Sequence, residues 1–279
     1  MELARPDSLE AARASLENGS VALAGGTDLV PLLRDRIVEA TALVDIRAAV
    51  PRGIEGTTIG AATTLGELEV DPQIPNALSE ACRLAASPQL RAMGTIGGNL
   101  LQATRCWYWR LRHPCWLHGG ERCLARDGVH REHAVFANEP CASAHPSDPA
   151  AALLALDARL RTDRRELPLA DLYRLPTNDD RRMTTLEPGE LILELEVPSA
   201  EASTYLKAMD RRRYAFALVG VAAAHFSTGT RIALAGMAPI PWLLDGEVAL
   251  DRATPLPQNE YKLEIARALV RRALDEVGA

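Results

Sequence analysis

The chain has 279 residues, enough for one large domain or two ordinary ones. Hydrophobic residues make up 47% of it and charged residues 24%, which is typical of a folded globular protein and excludes a disordered, collagenous or coiled-coil chain. The 31 basic residues are outnumbered by 37 acidic ones, so the net charge is -6. This balance argues against a nucleic-acid binder, which needs surplus cations to neutralise phosphates.

The sequence predicts neither export nor membrane insertion. The start lacks the basic, apolar and small-residue regions of a secretory signal, and residues 1–18 are predicted to form an amphipathic helix with Asp7 or Ser8 as its cap. No apolar run is long enough to span a bilayer. Because the chain has 5 cysteines and no signal peptide, we expect a reducing compartment, where clustered cysteines indicate metal or redox chemistry.

Apolar periodicity and chain breakers predict a mixed fold. In the first part of the chain we predict strands at 21–24 and 42–46 and helices from Leu29 and at 65–69, 76–85 and 148–156. A stretch rich in Arg, Asp and Pro, residues 164–188, is predicted to separate two domains. Beyond it we predict strands at 191–197, 203–209, 217–226 and 230–235, and a closing amphipathic helix at 261–277. This order indicates a mixed α/β unit followed by a smaller α+β unit.

Two paired glycines, Gly25-Gly26 and Gly97-Gly98, each follow an apolar run. Such pairs let backbone N–H groups approach an anion closely, which is the chemistry of phosphate binding. Neither pair fits the usual dinucleotide or P-loop pattern, and each alone is better explained as a tight turn, whereas the two together make a ligand site an equal alternative. Asp28 would repel a phosphate, so we expect it to favour the N-terminus of the following helix, and Thr27 is the better candidate for a ligand contact or cap.

The segment from Cys106 to His145 differs chemically from the rest of the chain. It holds four of the 5 cysteines, most of the histidines and three of the 4 tryptophans. The cysteine spacing is Cys106-x8-Cys115-x7-Cys123-x17-Cys141, without the close pair that begins most zinc knuckles. Four separated thiolates can surround a cubane iron–sulfur cluster.

Other roles for these cysteines stay open at this point. Zinc is an alternative, with His130 or His133 replacing one thiolate, because imidazole and thiolate both suit that metal. Disulfides are disfavoured because the rest of the chain has the character of an intracellular protein, and unligated thiols because four cysteines within 36 residues exceed the background. The fifth cysteine, Cys82, lies on an apolar helix before Pro88 and is predicted to be an ordinary core thiol.

Five segments, in this order, carry a family resemblance. They are Ala24-Gly25-Gly26-Thr27-Asp28-Leu29, Thr95-Ile96-Gly97-Gly98-Asn99-Leu100, His145-Pro146-Ser147-Asp148 with Ala155-Leu156-Asp157-Ala158, Glu190-Leu191-Ile192-Leu193-Glu194, and Ala238-Pro239-Ile240-Pro241-Trp242. The chain resembles the FAD-binding medium subunits of the molybdenum hydroxylase or xanthine dehydrogenase family. Its cysteine segment resembles the 4Fe-4S loop in flavin subunits of bacterial three-subunit aldehyde oxidoreductases and of 4-hydroxybenzoyl-CoA reductase.

The resemblance implies an α+β protein built from two domains. Residues 1–170 would form a two-lobed FAD-binding fold (PCMH/VAO-like), with lobes at about 1–50 and 51–170 and an iron–sulfur loop at 103–145. Residues 171–279 would form a smaller α+β domain resembling the C-terminal domain of the CO dehydrogenase flavoprotein.

The resemblance also implies roles for single residues. The FAD pyrophosphate would be wrapped by the first glycine turn, whose residues are Leu23, Ala24, Gly25, Gly26, Thr27, Asp28 and Leu29. Thr95, Gly98 and Asn99 would form the second wall, Asp148 would meet FAD hydroxyls, and Lys207 would lie near the flavin. The 4Fe-4S ligands would be Cys106, Cys115, Cys123 and Cys141. Without the resemblance, the sequence explains Asp148 as a cap or first-turn acid beside Pro149, and Lys207 as a surface charge.

The function implied is that of an oxidoreductase subunit that transfers electrons. A large partner subunit would hold the molybdenum cofactor and a small partner 2Fe-2S clusters, forming a heterotrimer in which FAD here passes electrons to an external acceptor. No catalytic acid or base on this chain is then required. The alternatives are a stand-alone flavin oxidase and a zinc-stapled binding module without redox chemistry. We expect a cytoplasmic protein, or a periplasmic one exported on a partner's signal.

Overall fold

The computed structural model describes residues 1–17 and 19–279. Its amino-terminal lobe is a small parallel sheet in the strand order β1-β3-β2. The elements of this lobe are β1 (Glu2–Ala4), α1 (Leu9–Ser15), β2 (Val21–Leu23), α2 (Leu29–Arg34) and β3 (Ala42–Asp45).

The helix predicted for residues 1–18 is wrong at its start. Leu3 pairs with Leu43 in a parallel ladder, so Glu2–Ala4 is an edge strand. The helix begins only at Leu9, where the Ser8 hydroxyl accepts a hydrogen bond from the Ala11 amide as its cap. Pro6 explains the late start, since proline disfavours a helical conformation in the residue before it. Asn18 lies outside the described residues.

The second lobe carries a five-stranded antiparallel sheet and most of the helices. Its first helices and strands are β4 (Ile54–Glu55), β5 (Thr58–Gly60), α3 (Leu65–Leu68), α4 (Asn76–Ala85), α5 (Pro88–Arg91) and α6 (Ile96–Leu100). They are followed by α7 (Trp107–Arg110), α8 (Leu124–Asp127), α9 (Asp148–Ala155), β6 (Arg159–Thr162), β7 (Glu166–Pro168) and β8 (Ile192–Glu196). The strand order is β4-β5-β8-β6-β7.

The position of β8 shows that the second lobe ends later in the chain than the sequence predicted. β8 lies between β5 and β6, with Leu195 opposite both Ile59 and Leu160. The second lobe therefore extends to residue 196, and the division predicted at 170/171 falls inside it. The charged segment 164–188 contains β7 and its following loop rather than a linker between domains.

The C-terminal domain is a four-stranded antiparallel sheet with one long helix. Its elements are β9 (Ala202–Met209), β10 (Ala217–Phe226), β11 (Gly229–Ala235), β12 (Trp242–Leu244) and α10 (Tyr261–Val277). Alternate residues of β10 face opposite sides, as the two-residue repeat of a strand requires. Ala222 and Ala224 pack with the α9 core of the second lobe, while Val221 and Ala223 pack with α10.

A buried ion pair joins α9 to this sheet. The Ser147 hydroxyl caps α9, and the carboxylate of Asp148 accepts hydrogen bonds from Lys207 Nζ at 2.7 Å and from the Tyr205 hydroxyl at 2.5 Å. Lys207 Nζ also donates to the Leu84 carbonyl of α4 at 2.8 Å. The Lys207 and Asp148 side chains are 0% and 1% exposed. Three elements therefore meet at one internal charge pair.

We expect Lys207→Met to destabilise the fold strongly. The substitution leaves the Asp148 carboxylate buried without a counter-charge, which typically costs about 3–5 kcal/mol of unfolding free energy. Urea unfolding at pH 7 measures the loss. Burial already raises the pKa of Asp148, and without Lys207 protonation of the acid relieves the defect, so the loss should be smaller at pH 5 than at pH 8. An equal loss at both pH values would contradict this explanation.

Candidate functional site

The two glycine turns line one cavity between the first and second lobes. Its volume is about 330 Å³, within the range of pockets that hold small ligands and cofactors. The lining from the first turn comprises Ala24, Gly25, Gly26, Thr27, Asp28 and Leu29, and that from the second comprises Thr95, Gly97 and Gly98. Leu23 and Asn99, both predicted contacts, do not line this cavity. Residues that sequence reasoning missed include Val21, Ile46, Val50, Ala61, Leu191 and Ile192.

Close backbone contact explains why glycine stands at these positions. Gly26 has a φ of +70°, a left-handed conformation that L side chains rarely adopt. A Cβ atom on Gly25 would lie 1.9 Å from the Met93 carbonyl oxygen. The first turn therefore packs directly against the segment that leads into Thr95. Thr95 caps α6 by accepting a hydrogen bond from the Gly98 amide at 3.2 Å.

The charged side chains in the cavity lining already have counter-ions. Arg47 pairs with Asp45 at 2.6 Å, and Glu190 pairs with Arg165 at 2.9 Å. The third charged group, the Asp28 carboxylate, pairs with arginines of the cysteine segment. Among the described lining residues, therefore, no unpaired side-chain charge opposes an anionic cofactor.

Asp28 does not play the predicted helix-stabilising role. It immediately precedes α2, but its side chain makes no capping hydrogen bond. Instead it accepts from the Ala103 amide at 2.8 Å and pairs with Arg105 and Arg110 at 2.9 and 2.8 Å. No local sequence signal indicated these partners, because they lie more than 70 residues further along the chain.

Three residues predicted to contact FAD are bonded to other groups of the protein. They are Asp148, Lys207 and Asn99. Both oxygens of Asp148 are bonded within the buried pair, and neither Asp148 nor Lys207 lines the cavity. The Asn99 side-chain oxygen accepts from the Ser147 hydroxyl at 2.5 Å, which connects the second glycine turn to the cap of α9. Their contacts with FAD stay predictions, and the structure gives all three a part in holding the elements around the cavity.

The four cysteines of the unusual segment line one small cavity. Cys106, Cys115, Cys123 and Cys141 share it with Tyr108, Trp109, Trp116 and Leu117, among other residues. Three of the thiols are buried, Cys106 is partly exposed, and none forms a disulfide. Cys82 lies apart, fully buried in α4, as predicted for a core thiol. Positions up to 35 residues apart therefore meet at a single place.

Short helical turns begin directly after three of these cysteines. Cys106 precedes α7, Cys115 precedes a 3-10 turn at Trp116–His118, and Cys123 precedes α8. Amides of the first turn consequently face the sulfur: those of Tyr108 and Trp109 oppose the burial that raises the pKa of Cys106 to about 11. Free amides at a helix start favour a thiolate.

Cys123 and Cys141 influence each other's ionisation. The Cys141 side chain and amides that include Ala142 lower the pKa of Cys123, while the Cys123 side chain and burial raise the pKa of Cys141. The Cys141 thiol donates to the Ser143 hydroxyl oxygen at 3.4 Å. Thiolates rather than thiols bind metals, so this pair has the chemistry of a metal ligand.

The two histidines of the zinc alternative differ in availability. Both ring nitrogens of His130 are engaged, with the Ala125 carbonyl at 3.0 Å and the Gln258 amide at 3.1 Å. His133 Nε2 lies 3.2 Å from the Cys106 sulfur, and its other ring nitrogen is buried without a partner. Among residues 1–17 and 19–279, no group of three or more His, Cys, Asp or Glu side chains is placed to hold a metal ion.

The C-terminal domain holds the second half of the cysteine segment. The Lys262 ammonium of α10 donates to the carbonyls of Glu132, His133 and Gly236 at 3.1, 2.9 and 2.7 Å. Asn259 donates to the carbonyls of His133 and Ala134 at 3.1 and 3.2 Å. Sequence reasoning did not assign these roles. The one available signal is that Lys262 and Lys207 are the only lysines among 31 basic residues.

Comparison with known proteins identifies the class to which this fold and cavity belong. The profile described as "FAD binding domain in molybdopterin dehydrogenase" matches residues 1–200. The chain therefore belongs to the family of FAD-binding medium subunits of molybdenum hydroxylases, and it is an FAD-binding oxidoreductase subunit. The predicted family, α+β fold and flavin cofactor are confirmed. No helix in the described part of the chain has the length and apolar character needed to cross a membrane.

Individual relatives match along nearly the whole chain. The aldehyde oxidoreductase FAD-binding subunit PaoB of Escherichia coli K12 is 34% identical, over 94% of this chain and 92% of its own length. The carbon monoxide dehydrogenase medium chain of Hydrogenophaga pseudoflava is 28% identical, over 92% of this chain and 88% of its own.

Solved structures share the fold. A carbon monoxide dehydrogenase chain from Hydrogenophaga pseudoflava superposes with a TM-score of 0.71 at 24% identity, covering 100% of this chain and 97% of its own. Quinoline 2-oxidoreductase from Pseudomonas putida 86 gives 0.68 at 20% identity, covering 99% and 96%.

We expect Gly25→Ala to lower FAD occupancy, because a methyl group there would push the first glycine turn away from Met93. Gly66→Ala is the matched control, since its Cβ would make an ordinary contact at 3.4 Å with the Arg91 carbonyl oxygen outside the cavity lining. Flavin absorbance per protein should fall several-fold in the first variant only. If Gly25→Ala retains as much flavin as the wild type, the first glycine turn does not contribute to FAD binding.

Proposed function

We propose that this chain is the electron-transfer subunit of a molybdenum-dependent hydroxylase and that it carries a 4Fe-4S cluster in addition to FAD. The observation that carries the proposal is the convergence of Cys106, Cys115, Cys123 and Cys141 on one cavity. The similarity to an aldehyde oxidoreductase subunit supports an aldehyde oxidoreductase-like complex.

The four cysteines supply the kind and number of donors that a cubane cluster needs, although among the described residues no three such side chains already stand close enough to hold a metal ion. Such a cluster needs four thiolates, one for each iron, and its potential depends on hydrogen bonds to the sulfurs and on exposure to solvent. Amides of α7 and α8 face two of the sulfurs, and Tyr108, Trp109 and Trp116 supply an apolar wall. These residues would hold a cluster in a low-dielectric site beside the FAD-binding lobes.

The cavity at the glycine turns fits the pyrophosphate of FAD. Its charged side chains are neutralised by ion pairs, and Gly26, Gly97 and Gly98 belong to its lining, where the lack of a side chain leaves room for a ligand close to the backbone. We assign the pyrophosphate contacts to Ala24–Leu29, Thr95 and Gly98. Bound FAD would take up single electrons from one-electron carriers and could pass on one or two, and the protein contributes binding and orientation. No acid or base of this chain enters the proposal.

The names of the matched relatives support the presence of partner subunits. Because the matched proteins are called a subunit and a medium chain, we propose that a large subunit with the molybdenum cofactor and a small subunit with 2Fe-2S clusters bind this chain. Electrons would then pass from the small subunit through FAD to an external acceptor. Five free thiols favour a reducing compartment, and so we propose the cytoplasm, with the periplasm as the alternative.

Metal analysis of protein purified without oxygen tests the cluster. We expect flavin absorption bands over a broad iron–sulfur shoulder and about four irons per chain. Zinc in place of iron would overturn the cluster and favour a site completed by His133, which lies next to Cys106. Flavin with neither metal would leave the stand-alone oxidase as the better explanation.

Substitution of one ligand should separate the two cofactors. Cys115→Ala removes a thiolate from the cavity and is expected to abolish iron binding while FAD is retained in part. Cys82→Ala removes a buried thiol of α4 that does not line the cavity, so its iron content should match the wild type. Iron content that is unchanged in Cys115→Ala would show that the proposed ligand set is wrong.

A further inference from the structure

The carboxylate of Asp28 points out of the first glycine turn and into the start of the cysteine segment. One oxygen accepts from the Ala103 amide at 2.8 Å. The other pairs with Arg105 Nη1 at 2.9 Å and Arg110 Nη2 at 2.8 Å. With 16% of its side chain exposed, Asp28 is largely shielded from water, so these pairs are screened less than surface pairs.

Hydrogen bonds continue from this pair to the first cysteine. Arg110 Nε donates to the Thr104 carbonyl at 2.8 Å, and the Thr104 hydroxyl oxygen accepts from the Cys106 amide at 3.2 Å. Arg110 belongs to α7, the turn that begins directly after Cys106. The position of the Cys106 backbone is thus linked to the position of the Asp28 carboxylate through bonded groups.

The negative charge of Asp28 explains how a change in the cysteine segment would affect binding in the cavity at the glycine turns. Asp28 lines the cavity assigned to an anionic pyrophosphate, where an unpaired carboxylate would repel the ligand. The two guanidinium groups neutralise it only while residues 103–110 keep their place. Arg105 also lies 4.6 Å from the Phe216 ring of the C-terminal domain, which fixes that side chain from a second direction.

We propose that Asp28 is a positioning residue that couples the two cofactor sites. Binding of the cluster at Cys106 orders residues 103–110, keeps Arg105 and Arg110 on the Asp28 carboxylate, and thereby strengthens FAD binding. Linkage is reciprocal, so FAD also strengthens retention of the cluster. The inference rests on the proposed iron–sulfur cluster, and Asp28 itself touches neither the iron nor the sulfur.

A double-mutant cycle on the full chain, purified anaerobically with its bound partners, tests the coupling. The probe is free FAD titrated into deflavinated protein and followed by quenching of flavin fluorescence. We expect Cys115→Ala to weaken FAD binding about tenfold, an ordinary size for coupling between two sites. Asp28→Asn removes the repelling charge, so adding Cys115→Ala to it should change FAD affinity by less than about twofold.

Two further variants test the coupling: one changes an arginine that pairs with Asp28, and the other is a matched control elsewhere in the fold. Arg110→Met leaves Asp28 charged, and it should weaken FAD binding even when iron is present. Glu69→Gln breaks a comparable half-buried pair with Arg91 in the second lobe, away from the cysteine segment. With Glu69→Gln, the effect of Cys115→Ala should stay about tenfold. If Cys115→Ala weakens FAD binding by the same factor with Asp28 and with Asn at that position, the coupling is wrong.

Failure of the cluster proposal would be visible separately. Wild-type protein without iron would overturn the cluster, whatever the FAD affinities are. The Asp28 link is then judged by hydrogen exchange of the amides in residues 103–111. Faster exchange in Asp28→Asn than in the Glu69→Gln control would support the link, and equal exchange would overturn it. Chelation of iron from the wild type provides a second cluster-free state if Cys115→Ala does not fold.

Discussion

The cysteine segment depends on groups outside it for its shape. Residues 103–145 contain two four-residue helices, one 3-10 turn and no strand, so several of their backbone polar groups take partners from elsewhere in the fold. Lys262 and Asn259 bind the carbonyls of residues 132–134 from the C-terminal domain, and Asp28 binds the amide of Ala103 from the first lobe. Because the four sulfurs can meet only when both ends are held, the site requires the whole fold.

Both lysines of the chain have buried side chains, which join separate elements of the fold through hydrogen bonds. Lys262 uses its three ammonium protons on three carbonyls, and Lys207 joins Asp148 to the Leu84 carbonyl of α4. A compact ammonium on a flexible stem can donate to three separate carbonyls, whereas a planar guanidinium presents its donors in a fixed geometry that suits carboxylates. Arginines accordingly form the pairs with Asp28, where one carboxylate oxygen accepts from both guanidinium groups.

The cavity proposed for FAD depends on packing between two lobes. Gly25 allows the first turn to touch Met93 and Gly94, and Asn99 connects the second turn to the Ser147 cap of α9. Leu191 and Ile192, which lead into β8, complete the lining from a third segment. Small residues in the turns and a buried strand beside them therefore determine both the width of the cavity and its apolar character.

Local pattern alone determined much of this protein. The bounds of α4, β10 and α10 were predicted to the residue because their apolar periodicity is uninterrupted, and the glycine pairs and clustered cysteines marked residues that line two cavities. Only the tertiary structure decided that β8 enters the second-lobe sheet, that Glu2–Ala4 is a strand, and that Asp28 faces arginines rather than a helix end. These three depend on partners tens of residues away, and pairing at such distances leaves no periodic trace in the sequence.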